Sequence, residues 1–307
     1  MLRCSVIIVT YNSGQSISGC LQALAHENCE IVVVDNASQD GTVARVQAFQ
    51  AEHPVQLLLI SRNLGFAGGV NHGARAATGD VLLILNPDAV AEPGAVQALL
   101  DCMAEQHAAA AGGALLGDNG ELERGFAFRR LPTLSSLLCE ALLINQAWPR
   151  NPVNRRYRCL DADYSRAQEV EQPAGACLAI TREAWEAVGG MDPQFAPVWF
   201  EDVDLCKRVL DSGRTIVYCP GARFRHAGAH SVGKLSFADK QLFWYINMLR
   251  YARKHFSPAK VWILRMGIVK GMLLRSIATM VGKGPAGVSS SEARNAYWRV
   301  IKSVLSS

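Results

Sequence analysis

Short apolar runs alternate with helical patterns along the first third of the chain. Valine, isoleucine and leucine dominate four runs that predict buried strands, at residues 4–10, 30–35, 55–60 and 80–85. Segments with helical spacing connect them at residues 16–25, 41–50 and 66–77. Strands and helices in this alternation are typical of a parallel sheet with helices on its faces. The pattern therefore predicts an α/β fold, Rossmann-like, whose mostly parallel central sheet is flanked by helices.

Polar side chains gather where three of these predicted strands end. They are Thr10, Tyr11 and Asn12 at the first strand, Asp35 and Asn36 at the second, and Asn86 and Asp88 at the fourth. Ligands of such sheets bind beyond the carboxyl ends of the strands. Asp35 can accept hydrogen bonds from a base or a ribose, and Asp88 can ligate a divalent ion. Turn chemistry explains most of these residues singly, but the combination favours a nucleotide site.

The stretch from Trp199 to Arg208 sets three carboxylates against two aromatic residues where a helix begins. If Glu201 caps that helix, Asp202 and Asp204 join it in the first turn, where the partial positive charge of the helix end favours ionised carboxylates. An ionised carboxylate beside an aromatic wall can act as a general base. Ordinary helix capping is the alternative explanation.

Composition and charge narrow the classes of partner. Half of the 307 residues are hydrophobic, which is enough for a sizeable core. The net charge of +4 is mild, and the basic residues concentrate towards the C-terminus without forming one block. This distribution suits an anionic surface or substrate and argues against a nucleic-acid partner.

The nine cysteines include no C-x-x-C pair and are scattered through apolar segments. We therefore expect buried, reduced thiols, which fit a cytoplasmic protein. Residues 11–14 interrupt the first apolar run too early for a signal peptide, so no secretion is expected.

The last quarter of the chain combines basic and apolar residues. An aromatic run at residues 243–245 leads into a predicted helix, and residues 260–281 interleave Lys260, Arg265, Lys270 and Arg275 with large apolar side chains. Charges recur too often for a membrane-crossing helix, but they suit a helix lying on an anionic membrane with basic side chains at the headgroups. Packing on the α/β domain or on a second subunit is the alternative. Residues 283–291 then predict a flexible link to a last short helix.

Several sequence elements in combination resemble the family 2 glycosyltransferases. They are residues 6–12 (Val-Ile-Ile-Val-Thr-Tyr-Asn), 34–42, 62–73, 85–89 (Leu-Asn-Pro-Asp-Ala), and 189–195 with 201–204. The similarity extends over roughly residues 4–255. It implies a GT-A fold, an inverting mechanism, a nucleotide-sugar donor and a divalent cation, Mg²⁺ or Mn²⁺. The element at residues 85–89 looks most like that of rhamnosyltransferases that use dTDP-L-rhamnose.

The resemblance implies a donor-binding role for ten residues. They are Thr10, Tyr11 and Asn12 for the base, Asp35 and Asn36 for base and ribose, and Asn63, Gly69, Asn71, Asn86 and Asp88 on the donor side. Asp88 also takes the metal role. The family's usual element there is Asp-x-Asp, and Asn86 at its first position removes one negative charge. We therefore expect modest affinity for the metal, or partial dependence on it.

A second metal ligand is expected at His226, which follows a predicted strand at residues 215–218. Some members of the family have a metal-ligating histidine at such a position. A turn histidine satisfied by backbone groups is the alternative. His230 is the second candidate for this role.

Asp202 is the predicted general base because it matches the family's motif, and Glu201 is the second candidate. Asp204 is expected to cap the helix or to orient Arg208 four residues on. One base suffices for inversion, whereas a double displacement would need a second, nucleophilic carboxylate that the sequence does not identify.

Trp199, Phe200 and Gly175 are assigned to the acceptor side. Aromatic faces pack against the apolar side of sugar rings, although core packing explains both aromatic residues equally well. Gly175 lies in residues 172–177, the expected floor between the donor and acceptor sites, where glycine lets the backbone approach a sugar.

The pattern is weakest over residues 118–170. Asn119 and Gly120 indicate a hairpin. Residues 148–158 hold four arginines among prolines and predict a mobile basic loop near the acceptor entrance, with a simple solvated loop as the alternative.

Together these features predict a catalytic domain over residues 1–236, with a nucleotide-sugar half to about 115 and an acceptor half from about 116, and an amphipathic helical region over 237–307. The expected reaction moves L-rhamnose from dTDP-L-rhamnose to a saccharide or lipid-linked saccharide in cell-surface polysaccharide synthesis. A UDP-sugar donor and a non-catalytic, nucleotide-binding, membrane-associated protein are the alternatives. The expected location is the cytoplasm or, peripherally, the inner face of the cell membrane, and an oligomer is a further option.

Overall fold

A computed structural model describes residues 2–226, 228, 233 and 235–306. The chain divides into two compact units. The first comprises Met1–Leu131, Arg158–Pro197 and Glu201–Ser231, and the second comprises Pro132–Tyr157, Val198–Phe200 and Val232–Ser307. This division differs from the predicted one, because residues 132–157 belong to the second unit and interrupt the expected acceptor half of the first.

The described residues contain eleven strands, twelve α-helices and a short 3-10 helix at Pro193–Phe195. The strands are β1 (Cys4–Thr10), β2 (Cys29–Asp35), β3 (Gln56–Leu59), β4 (Val81–Leu85), β5 (Ala89–Ala91), β6 (Ala110–Leu116), β7 (Phe128–Arg129), β8 (Gln168–Glu169), β9 (Gln172–Pro173), β10 (Cys177–Thr181) and β11 (Ile216–His226). The helices are α1 (Ile17–Leu24), α2 (Thr42–Gln50), α3 (Gly65–Ala76), α4 (Ala95–Glu105), α5 (Leu134–Ala141), α6 (Ile144–Ala147), α7 (Pro152–Tyr157), α8 (Arg182–Val188), α9 (Glu201–Asp211), α10 (Phe237–His255), α11 (Pro258–Met280) and α12 (Ser290–Ser306).

Nine strands of the first unit form one sheet in the order β3, β2, β1, β4, β10, β6, β11 and β5, with β8 against β11. The pairs from β3 to β4 are parallel, and β10 runs antiparallel to both of its neighbours. Strands β1 and β4 are buried along their whole length, as central strands covered on both faces are. The predicted α/β fold with a mostly parallel central sheet is confirmed.

The pattern of the first 85 residues located each strand and helix to within one residue of its observed ends. Helix α3 packs closely on β1 because two of its glycines lack a side chain. A Cβ atom at Gly69 would stand 2.6 Å from Cγ1 of Val9, and one at Gly73 would stand 2.6 Å from Cγ2 of Ile7. Glycine at these positions therefore permits the helix to approach the sheet.

The expected basic loop at residues 148–158 is wrong, because helix α7 occupies its centre. The Oδ1 atom of Asn151 accepts a hydrogen bond from the backbone N–H of Asn154 at 2.9 Å, as an N-terminal helix cap does. Pro152 follows at the first helical position, where its missing N–H costs nothing. The Asn151-Pro152 pair therefore marks the start of a helix.

The hairpin predicted at Asn119 and Gly120 is confirmed by the antiparallel bridge between Leu116 and Leu122.

The expectation that all cysteines are reduced is wrong for one pair. Cys102 on α4 and Cys219 on β11 form a disulfide, and the other seven cysteines are free. The two residues are 117 positions apart in the sequence, so only the packing of α4 on β11 brings them together.

In the second unit, α10, α11 and α12 pack on one another, and α11 also packs on α5. The predicted C-terminal helices are therefore present, and the last one is longer than expected, with 17 residues. Within the described part of the chain, no helix is both long and apolar enough to cross a membrane.

Candidate active site

The ends of β1 and β2 meet at one edge of the sheet, where Thr10 lies opposite Asp35. The hydroxyl of Thr10 donates to Oδ1 of Asp35 at 3.0 Å, and the backbone N–H of Ser38 donates to Oδ2 at 2.9 Å. Asp35 is buried. Its carboxylate is therefore held in a fixed orientation at the strand end.

Ser38 also ties Asn12 into this cluster. Its hydroxyl accepts a hydrogen bond from the backbone N–H of Asn12 at 2.8 Å, and Oδ1 of Asn12 accepts from the N–H of Gln39 at 2.7 Å. The neighbouring ring of Tyr11 is 38% exposed and so is accessible to a planar ligand. The structure thus brings four of the five predicted base-side residues together, and Ser38, to which the sequence analysis gave no binding role, links them.

Asn36 is buried and holds the loop that precedes α3. Its Nδ2 atom donates to Oδ1 of Asn63 at 2.9 Å and to the carbonyl of Gly65 at 3.0 Å, and its Oδ1 accepts from the N–H of Leu64 at 2.8 Å. Asn36 and Asn63 are therefore adjacent, as predicted for one site, but these contacts shape the loop.

Gly69 and Asn71 have structural explanations that need no ligand. Gly69 lets α3 approach Val9, and the amide of Asn71 exchanges two hydrogen bonds with the backbone of Met191, at 2.7 and 2.9 Å. These bonds fasten α3 to the turn at residues 189–195. The two donor-side assignments therefore remain predictions from the resemblance alone.

Asp88, in the turn just before β5, and His226, at the end of β11, form a buried pair. His226 lies opposite Ala89 in the antiparallel pairing of β11 with β5, which puts it beside Asp88. The His226 Nε2 atom lies 3.6 Å from Oδ1 of Asp88 and has no hydrogen-bond partner, although both side chains are buried. A buried polar atom without a partner is costly unless a ligand satisfies it. The structure thus brings both predicted metal ligands together, whereas His230 lies outside the described residues.

The hairpin after β6 supports the His226 ring on its other side. Oε2 of Glu123 lies 3.4 Å from Nδ1 of His226, and the ring of Phe126 stacks on the imidazole at a centroid distance of 5.4 Å. If Glu123 accepts the Nδ1 proton, Nε2 keeps its lone pair towards Asp88. Glu123 lies in the stretch whose sequence pattern was weakest, so it was not predicted.

Asp202 begins the second charged part of the site, in the first turn of α9 as predicted. Its Oδ2 atom accepts from the backbone N–H of Gly175 at 3.0 Å and from Nε2 of Gln172 at 3.1 Å, and its Oδ1 accepts from the N–H of Val203 at 2.8 Å. Burial raises the pKa of Asp202 above the ordinary aspartate value, and the backbone hydrogen bonds from Gly175 and Val203 oppose that rise. The result is a positioned carboxylate with increased proton affinity.

The other two carboxylates of this turn are more deeply buried than Asp202. Asp204 is fully buried, and its Oδ2 atom accepts from Nε of Arg208 at 2.8 Å. The guanidinium of Arg208 also donates to the carbonyl of Val188 at 2.6 Å. The expectation that Asp204 orients Arg208 is confirmed, while Glu201 is buried at the first residue of the helix.

Trp199 and Phe200 precede the helix with backbone φ angles of 76° and 73°, in the left-handed region that bulky side chains rarely adopt. In the second unit, both rings contact Trp244, at centroid distances of 5.6 and 5.3 Å, and Phe200 is buried. Core packing, the alternative stated above, therefore accounts for Phe200. Trp199 keeps partial exposure.

Residues 172–177 adjoin both charged parts of the site. The backbone N–H of Asn86 donates to the carbonyl of Ala176 at 3.0 Å, next to Gly175, which donates to Asp202. The segment therefore lies between the loop of Asp88 and the carboxylate of Asp202. Gln172, which the sequence analysis did not single out, is buried and donates to Asp202 from this segment.

No three side chains among His, Cys, Asp and Glu come together as a metal site in the described residues. Asp88 and His226 would therefore supply two ligands of an ion, and a bound diphosphate would have to supply others.

Glycosyl transferase family 2 matches residues 5–163, and the N-terminal domain of galactosyltransferase matches residues 155–230. An N-acetylglucosaminyl-diphospho-decaprenol L-rhamnosyltransferase of Mycobacterium tuberculosis is 33% identical over an alignment 249 residues long, which covers 75% of this chain and 77% of that protein.

Two solved structures are similar in fold. The mannosyltransferase PcManGT from Pyrobaculum calidifontis, in complex with GDP-Man and Mn²⁺, has a TM-score of 0.56 at 19% identity, and the match covers 99% of this chain and 85% of that one. GalNAc-T7 with UDP, GalNAc and Mn²⁺ has a TM-score of 0.55 at 18% identity, with 74% and 44% covered. At these identities the likeness concerns the fold alone, and it agrees with the GT-A fold expected from the sequence.

Proposed function

Since the chain belongs to glycosyl transferase family 2 and is a glycosyltransferase, we propose that it moves L-rhamnose from dTDP-L-rhamnose to a lipid-linked saccharide in cell-surface polysaccharide synthesis. The choice of rhamnose and of a lipid-linked acceptor rests on the mycobacterial relative, because its name specifies a rhamnosyl transfer and a lipid diphosphate acceptor. Such an acceptor would place the enzyme at the cytoplasmic face of the cell membrane. The non-catalytic alternative is set aside, because the family is one of enzymes.

The donor nucleotide would bind at the ends of β1 and β2. Asp35 faces this edge with a carboxylate held by Thr10 and Ser38, so it is ready to accept hydrogen bonds from the base or the ribose. Tyr11 offers an exposed ring on which a base can stack. Asn12 adopts a left-handed conformation, with φ of 54°, that holds this turn.

A divalent cation fits the Asp88 and His226 pair. The donor set is one carboxylate and one imidazole nitrogen, and among the described residues that nitrogen has no hydrogen-bond partner. An imidazole ligand suits Mn²⁺ better than Mg²⁺, which strongly prefers oxygen. When bound, the cation would offset charge that develops on the departing diphosphate.

Asp202 would act as the general base of an inverting transfer. Its carboxylate accepts the proton of the acceptor hydroxyl while that oxygen bonds to the anomeric carbon, and the bond from this carbon to the diphosphate oxygen breaks. The nucleoside diphosphate leaves with the bonding electron pair. The observation that supports this arrangement is the segment 172–177, which adjoins both the loop of Asp88 and the carboxylate of Asp202.

A UDP-sugar is the second candidate donor, because the structural neighbour GalNAc-T7 was solved with UDP. The purified enzyme would be incubated with dTDP-L-rhamnose or a UDP-sugar, Mn²⁺ and a detergent-dispersed lipid-diphosphate N-acetylglucosamine acceptor. Release of dTDP with a rhamnosylated lipid product is expected. Product from a UDP-sugar, with none from dTDP-L-rhamnose, would overturn the donor assignment.

A further inference from the structure

Helix α11 exposes a row of large apolar side chains along its length. They are Trp262, Ile263, Met266, Leu273, Leu274, Ile277 and Met280, and Val281 directly after the helix. Trp262 is 63% exposed and Ile277 is 57% exposed. We call these eight residues the α11 stripe. An apolar surface of this size on an isolated helix face marks an interaction site.

The spacing of these residues puts them on one side of the helix. Steps of three, four and seven residues, as from Trp262 to Met266 and from Met266 to Leu273, return to the same face. Lys270 is the one charged residue within this face of α11, and it is exposed. A lysine there can lie along the apolar surface and extend its ammonium to a polar boundary.

The opposite face of α11 packs against other residues of the second unit. A Cβ atom at Gly267 would stand 2.4 Å from Cδ2 of Leu138, which indicates close packing on α5. Arg275 is buried, and its guanidinium donates to the carbonyl of Ala141 at 2.6 Å, at the C-terminal end of α5. The expectation that Arg275 reaches lipid headgroups is therefore wrong. The helix is fixed in the fold by this face, which leaves the α11 stripe exposed.

The charge around the stripe is strongly positive. Residues 237–307 contain twelve lysines and arginines and two acidic residues, a net charge of +10, whereas residues 1–236 carry a net charge of −6. Helix α11 itself has no acidic residue. Lys260 and Lys283 stand near its two ends.

We propose that the α11 stripe lies on an anionic lipid bilayer, with the lysines of this region at the headgroups. Apolar side chains along one helix face, basic residues beside them and a tryptophan near one end are the features of a helix that lies in the interface. A second copy of the chain fits less well, because a symmetric contact would bring two equally positive regions together. The biological sense of the inference rests on the proposed lipid-linked acceptor.

Vesicle binding tests the inference without any sugar transfer. The full chain is sedimented with vesicles of phosphatidylcholine that either contain or lack phosphatidylglycerol. Each sedimentation is repeated with added salt. Binding to the anionic vesicles alone, weakened by salt, is expected. Ile277→Glu should lower the bound fraction about tenfold, since a carboxylate would enter the interface next to anionic lipid. Leu59→Glu is the matched control, because Leu59 is 61% exposed and belongs to the first unit.

A second measurement tests the proposal even if Ile277→Glu fails to fold. Quenching of tryptophan fluorescence by brominated anionic lipid should be smaller in Trp262→Phe than in the wild type, because Trp262 would contact the lipid. Equal vesicle binding of Ile277→Glu and wild type, or equal quenching in Trp262→Phe, would overturn the proposal. The proposal would also be overturned if the wild type formed a dimer that did not bind vesicles and if Ile277→Glu dissociated that dimer. Rhamnosyl transfer to a water-soluble acceptor should be the same in these variants as in the wild type, so it tests the proposed function separately from membrane binding.

Discussion

The Nε2 atom of His226 lies 3.6 Å from Oδ1 of Asp88, and both side chains are buried. The antiparallel pairing of β11 with β5 creates this proximity, since His226 is opposite Ala89. Two carboxylates, Asp88 and Glu123, therefore flank one imidazole, and only Nε2 lacks a hydrogen bond. This arrangement suits a ring that presents Nε2 to a cation.

The first prediction concerns metal-linked donor binding. Calorimetric titration of dTDP should show tighter binding with Mn²⁺ than without it in the wild type. Asp88→Ala and His226→Ala should remove this gain, because each removes a ligand, and leave metal-free binding within a few-fold. His26→Ala, at an exposed position, is the control. The same gain in the Asp88 and His226 variants as in the wild type would mean that the metal binds elsewhere.

The second prediction concerns Glu123 as a positioning residue. Glu123→Ala should weaken Mn²⁺ binding about tenfold to a hundredfold, since the imidazole loses the group that orients it. Glu123→Gln should recover most of the affinity, because its amide oxygen can still accept the Nδ1 proton. Asp118→Ala alters an exposed acid of the same hairpin and serves as control. If both Glu123 variants bind Mn²⁺ as the wild type does, Glu123 has no such role.

Agreement between sequence and structure is greatest where burial determines both. Residues 6–9 and 82–85 are apolar because both faces of the sheet are covered there. Their pattern therefore predicted the bounds of these strands to within one residue. Asp35, Asp88 and Asp202 were predicted because they follow strands or begin a helix and match the family's motifs, and the structure does place them at strand or helix ends. Proximity of groups distant in sequence was harder to predict. Glu123 reaches His226 only through the hairpin.

The third prediction concerns the space beside the proposed base. A Cβ atom at Gly175 would stand 3.0 Å from Cβ of Asp202 and 3.1 Å from its Oδ2. Gly175→Ala should therefore displace the carboxylate and lower kcat by about tenfold or more, with dTDP binding retained. Gly221→Ala meets nothing within 4 Å and should leave kcat unchanged. Equal kcat values in the two variants would show that the position of Asp202 is not limiting.

The fourth prediction concerns pH. Because burial raises the pKa of Asp202, protonation should inactivate the base at a higher pH than for an ordinary aspartate. The acid limb of kcat should then lie above the usual aspartate range while the protein remains folded by circular dichroism. Gln172→Met removes one donor to the carboxylate and should move this limb to still higher pH. A limb that stays in place in Gln172→Met would assign it to another group.

The central claim is that Asp202 takes the acceptor's proton, and one comparison tests it most directly. Initial rates of rhamnosyl transfer and dTDP affinity are measured for Asp202→Asn, with Asp211→Asn as control on an exposed residue of the same helix. The account predicts a loss of transfer of about a hundredfold or more in Asp202→Asn, with dTDP binding within a few-fold of the wild type. Transfer at the wild-type rate, or an equal loss of transfer and binding, would contradict it.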